Sequence, residues 1–238
     1  WAGLQTGLPK RLAHDPALDG YLQRTRRWRT FGVLGGVIGS ILWMNLSNTR
    51  NAITTTSLFV GWFAAGILPE LFVRNRPDPT TRVALLEPRR ATRYVTPSAW
   101  HWLLAAYLFT AAALVDHAIA GDFTTPSGRD MAMLVAAGAV LTIVGGAAVW
   151  RIGRRPQPAG TADDVRVDDA IRTLGTTRAI SGWSALQFII AGYLVPHGPY
   201  LGSPYGSVQT AFAIGVVVGV LGSWAWVPTR VQPRVVQT

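Results

Sequence analysis

The chain has 238 residues, of which 49% are hydrophobic and only 14% charged, against about 25% charge in an ordinary soluble domain. It has no cysteine, which excludes disulfide frameworks, thiolate metal sites and cysteine nucleophiles. Its net charge of +10 would point to nucleic acid in a soluble protein, but the cations are gathered in a few short stretches between nearly uncharged ones, the pattern a bilayer selects, so no nucleic-acid partner is expected.

Residues 1–30 read as a basic amphipathic cytoplasmic segment with no apolar run of signal-peptide length. Within it, Asp15-Pro16 suits an N-cap and first helical position, so a short interfacial helix is expected before the first span. A span needs about 20 mostly apolar residues. The first candidate, 31–47, carries two overlapping glycine pairs, Gly32/Gly36 and Gly35/Gly39. Glycines four apart make a groove for a second helix backbone; packing inside the bundle is favoured over a dimer or partner interface. The second candidate, 52–73, ends on Pro69, Glu70 and Arg74. Glu70 and Arg74 are spaced i,i+4, which favours an interfacial ion pair; a gating or ion-coordinating carboxylate beside a proline kink is the alternative.

Asp78-Pro79 repeats the capping signal ahead of the third candidate span, 99–120. Near the outer end of that span lie Asp116 and His117. A carboxylate beside an imidazole suits proton relay, yet neighbours on a helix diverge by about 100°, so an interfacial role is favoured. The fourth candidate is 131–150 and the fifth 180–196, the latter preceded by Asp168-Asp169-Ala170-Ile171. The turn 196–206 is uncharged and shaped by Pro and Gly. The sixth candidate, 207–227, carries Gly215/Gly219 followed by Gly222, and 228–238 forms a tail.

Six spans place 20 of the 22 lysines and arginines on one side. By the positive-inside rule both ends and the long loops are cytoplasmic, and the chain is expected in a bacterial cell membrane. Tryptophans cluster near the span ends, as amphipathic rings do. The expected fold is all-α: a polytopic bundle of six spans (31–227) with interfacial cytoplasmic helices.

The cytoplasmic segments resemble one another, and 84–108 aligns on 170–194 without gaps, matching at six of 25 positions. A repeat of three hairpins about one axis follows as an expectation. The stretches Ala84-Leu85-Leu86-Glu87-Pro88-Arg89-Arg90 and Asp168-Asp169-Ala170-Ile171-Arg172 carry a resemblance to uncharacterised six-span membrane proteins of high-GC Gram-positive bacteria. That resemblance implies the layout and brings no chemistry with it.

No P-loop, H-E-x-x-H, G-x-S-x-G or C-x-x-C motif is present, so neither an enzyme nor a metal or other cofactor is expected. The expected role is an integral membrane subunit of a larger complex, the membrane-spanning or accessory part of a transporter. Arg26, Arg27, Arg89, Arg90, Arg93, Arg154 and Arg155 are the candidate contacts for anionic lipids, protein subunits or a second copy. A self-contained channel or secondary carrier is the alternative.

Overall fold

A computed structural model describes residues 8, 12, 14–47, 55–72, 94–95, 97–120, 126–155, 161–194 and 206–225, side chains at some helix ends excepted. Among these the regular elements are six α-helices and no strand: α1 (Pro16–Ser47), α2 (Thr55–Phe72), α3 (Pro97–Ala120), α4 (Pro126–Gly153), α5 (Ala162–Leu194) and α6 (Gly206–Ala225). Each of the six apolar runs read from the sequence overlaps one of these helices, and the runs 31–47, 99–120 and 131–150 lie wholly inside theirs.

Two expectations about the odd-numbered helices need correction. The basic stretches before the first and fifth runs are not separate interfacial helices. Each continues unbroken into the apolar run, giving helices of 32 and 33 residues. At 1.5 Å per residue each is about 48–50 Å long. Local chemistry sets where they begin. Asp15 accepts a 2.8 Å hydrogen bond from the Ala17 amide with Pro16 at the first helical position, as its Asp-Pro signal requires. α5 begins earlier than Asp168, at a reciprocal cap in which the Thr161 amide donates to Asp164 Oδ2 at 2.7 Å and the Asp164 amide donates to Thr161 Oγ1 at 3.4 Å.

The second correction concerns symmetry. α5 packs against all five other helices, while α3 and α4 pack chiefly on α5 rather than on each other. Three equivalent hairpins would give α5 the same surroundings as α1 and α3; its central place removes that equivalence. Its composition explains the position. Gly175, Thr176, Thr177, Ser181, Gly182, Ser184 and Ala185 are all buried, and small residues let neighbouring helices approach closely. Around α5 the main core joins Phe63 and Ile67 of α2, Ala99 and Leu103 of α3, Ala148 and Ile152 of α4, and Ile180 and Trp183 of α5.

The outward faces are apolar. Phe31, Leu34, Ile38 and Leu42 of α1, Val140 and Ile143 of α4, and Ile214, Val217 and Val218 of α6 are all exposed. Two helices are long and apolar enough to cross a membrane, over Pro97–Asp116 and Ala132–Gly153; Ser57–Leu71 and Thr210–Ser223 are apolar but shorter.

The glycine pairs divide between packing and open surface. A Cβ at Gly32 would come within 2.2 Å of the Gly61 carbonyl oxygen, and one at Gly36 within 2.4 Å of that of Ser57. The α1 and α2 backbones are therefore in direct contact there. Gly35 and Gly39 face open space. In α6, Gly215 and Gly219 receive the rings of Phe109 and Phe188. We expect Gly32→Val to wedge α1 from α2 and cost about 1–3 kcal/mol or more, seen as a lower detergent-solubilised Tm. Gly35→Ala should stay within about 0.5 kcal/mol of the parent.

Candidate functional site

Two polar assemblies lie inside this apolar bundle. The first is at the basal end, where α1 and α5 begin and α2 and α4 finish. Glu70, one residue beyond the in-helix Pro69, is buried, with 4% of its surface exposed. Its carboxylate accepts from Arg155 Nη2 at 2.6 Å and from the Tyr21 hydroxyl at 2.9 Å. Arg155 Nη2 also donates to the Glu70 carbonyl at 3.1 Å, satisfying one of the last-turn carbonyls of α2. The expected partner, Arg74, lies outside the described residues. Glu70 engages a residue 85 positions away, a buried tie between helices.

A second arginine does the same for α4. Arg172 is 1% exposed; its Nε donates to Asp168 at 2.7 Å, and its Nη1 donates to the carbonyls of Ile152 at 3.3 Å and Arg155 at 2.8 Å. A cation at a helix C-terminus also meets the negative end of the helix dipole. Tyr94, just before α3, donates to Asp169 at 3.2 Å. Beneath these contacts Leu12 and Leu18 pack with Val167, Ile171 and Leu174. The basal end is thus one connected unit built from α1, α2, α4 and α5 with the segment just before α3.

Tyr21 stays a donor throughout the physiological range. Burial, then the charge of Glu70 beside it, raises its phenol well above the ordinary value. Two more arginines reach this unit: Arg178 lies over the Tyr21 ring at 5.6 Å and Arg29 over the Trp62 ring at 5.0 Å. Burial, then the neighbouring Arg178, pushes Arg29 down to about 10.

The second assembly is uncharged and sits near the middle of α3 and α4 and in the later part of α5. Trp183 Nε1 donates to the Tyr107 hydroxyl at 3.2 Å, Tyr107 bonds to Thr142 Oγ1, and Thr142 donates to the Gly138 carbonyl at 2.8 Å. Beside it, Gln187 Nε2 donates to Thr110 Oγ1 at 3.0 Å, which donates to the Ala106 carbonyl at 3.0 Å. Gln187 is 2% exposed and Ser184 is fully buried, yet Gln187 Oε1 and Ser184 Oγ have no hydrogen-bond partner.

Most of the residues expected from sequence do not converge. Asp116 is buried near the far end of α3, remote from both assemblies along the chain axis; the side chain of His117 lies outside the described residues. Arg26, Arg27 and Arg154 are exposed, with Arg154 stacked on Trp150 at 4.5 Å, whereas Arg155 is drawn into the ion pair with Glu70. Arg89, Arg90 and Arg93 lie outside the described residues. Among the described residues no group of three or more His, Cys, Asp or Glu side chains is arranged to hold a metal. No family model, curated protein or solved structure matches the chain.

Tyr21, Arg172, Arg178 and the central polar chain were not singled out in sequence. A polar side chain at Gln187 and an indole at Trp183, both inside an apolar run rather than at its ends, were the available signals.

Removing one partner of a buried ion pair strands the other. Glu70→Gln is therefore expected to destabilise the protein by about 3–5 kcal/mol. Glu70→Leu combined with Arg155→Met should recover a large part of that loss. A thermal or chemical denaturation cycle in detergent measures it, and additive losses would show that the pair is not coupled.

Proposed function

We propose that the chain is an integral membrane subunit of a larger membrane complex, the membrane-spanning or accessory component of a transporter, docking a partner on an arginine-rich cytoplasmic face. In this reading all six helices cross the cell membrane and the basal end is cytoplasmic, with both chain ends on that side. The apolar outer faces of α1, α4 and α6 support membrane burial, and the charge asymmetry of the loops supports the orientation. The resemblance to six-span membrane proteins of high-GC Gram-positive bacteria points the same way.

One observation carries the docking role. Buried polar ties make the basal end a single unit, while Arg24, Arg26, Arg27, Arg151 and Arg154 remain exposed at that end. A rigid surface with unspent positive charge suits an acidic protein surface or anionic headgroups.

The absence of cysteine makes the topology directly measurable. Single cysteines at His14 and Ala162 should react with an impermeant thiol reagent only from the cytoplasmic side, and one at Ser127 only from outside. Reaction of all three from one side would overturn the six-span arrangement. For docking, cross-linking in native membranes should yield a defined second chain, weakened by Arg26→Ala with Arg27→Ala while the helices stay inserted. Recovery of the chain alone in mild detergent at every salt concentration would count against a complex.

The central polar chain supports a second reading, a self-contained channel or secondary carrier. A buried acceptor and hydroxyl without partners, halfway along the bundle, suit a polar solute or water in transit. Purified protein in proteoliposomes would then carry a flux that Gln187→Leu abolishes without lowering Tm. No flux above protein-free vesicles across a panel of ions and small solutes would remove this reading.

A further inference from the structure

We propose that Arg29, Arg155 and Arg178 form a binding site for a phosphate group at the basal end of the bundle. This site is separate from the exposed arginine face and does not rest on the docking role assigned to it.

The argument starts from unspent hydrogen bonds. Arg29 Nε, Arg155 Nε and Arg178 Nη1 are buried from solvent and have no acceptor among the described residues. A buried donor without a partner costs free energy, more so when it is charged. The chain can satisfy a buried arginine when it has reason to: Arg172 spends its nitrogens on one carboxylate and two carbonyls. The three arginines at issue come from different elements, α1, α5 and the segment just after α4. Arg155 pairs with Glu70, Arg178 lies over the ring of Tyr21, which donates to Glu70, and Arg29 Nη2 lies beside Gly66, one turn before Glu70. Three cations are thus grouped at one carboxylate whose oxygens are already engaged by Arg155 Nη2 and Tyr21.

Geometry narrows the ligand. Arg29 lies over the Trp62 ring at 5.0 Å and Arg178 over the Tyr21 ring at 5.6 Å, contacts that hold the guanidinium groups in place without using their N–H donors. A tetrahedral oxyanion offers several acceptors at once, which a single halide does not. Arg29 and Arg178 each precede a predicted span by two residues, the depth at which phosphodiester headgroups lie. All three side chains are only partly buried, so the site can be entered from solvent. The lowered proton affinity of Arg29 fits a cation short of counter-charge.

The same chemistry is offered by a lipid headgroup and by free phosphate, so the test has two arms. Purified protein in neutral detergent, at constant ionic strength, is titrated with phosphatidylglycerol in one arm and inorganic phosphate in the other. Phosphatidylcholine and chloride are the controls, and Tm is the readout. A saturable rise with phosphatidylglycerol alone identifies a headgroup site; a rise with inorganic phosphate as well identifies a site for the free anion. In either case Arg29→Gln with Arg178→Gln should weaken the midpoint about tenfold or more, and Arg166→Gln, at an exposed arginine paired with Asp163, should change it little. Should the first variant not fold, phosphorus NMR of the parent protein after detergent exchange reads the same site through a bound resonance distinct from bulk lipid or free phosphate. Overturning results are no saturable shift and no bound resonance, an equal response to chloride, or an equal loss in the Arg166 variant.

Discussion

Removing Glu70 and Arg155 from water is the constraint around which the basal end is organised. Two charges in a partly buried place offset their desolvation through good geometry and added hydrogen bonds. Here the carboxylate takes both Arg155 and Tyr21, and the guanidinium also takes the carbonyl of the residue it pairs with. That requirement brings three helix ends to one point. Pro69 and Glu70 finish α2, Tyr21 lies in the second turn of α1, and Arg155 follows α4 directly. Arg172 then ties α4 to α5 by the same chemistry. The two arginines act where helices run out of internal donors for their last carbonyls, so each offsets its own desolvation while finishing a neighbour.

From that fixed end α5 passes up the middle of the bundle. It changes character along its length, from acidic and basic at the start, to small and hydroxylated, to aromatic and aliphatic. Each part matches what surrounds it. Gly175 lies against Tyr21 and Glu70, Gly182 against the Phe63 carbonyl and Ile67, and Trp183 fills the space above Gly145. The hydroxyls of Thr176 and Ser181 return to the carbonyls four residues earlier, of Arg172 and Thr177. Their polarity is absorbed by the helix itself, which lets them serve as small packing residues.

Hydropathy and length made six helices legible in the sequence, because each apolar run must satisfy its backbone internally whatever its neighbours are. The run 52–73 lies over Thr55–Phe72 and 207–227 over Gly206–Ala225. The backward reach of α1 and α5 was not legible, because charged residues break the apolar pattern that marks a span. Glu70 was found, but its partner was not: an i,i+4 rule sees one turn of one helix, and Arg155 is 85 residues distant. The glycine pairs show the same limit. Spacing reveals a groove, and only the arrangement of helices shows that Gly32 and Gly36 are filled while Gly35 and Gly39 are open.

The unbroken passage of α1 and α5 from the basal unit into the apolar bundle has a mechanical consequence. A helix with no joint carries bending and twist along its whole length, whereas a short helix linked by a turn lets them dissipate. Four turns of α1 and about as many of α5 stand below the apolar runs as levers, clamped together by the Leu18, Ile171 and Leu174 contact. A force applied there reaches the middle of α5 as tilt. Gln187, Trp183 and the hydroxyl chain they join lie on that same rod, so the two polar assemblies share one rigid axis.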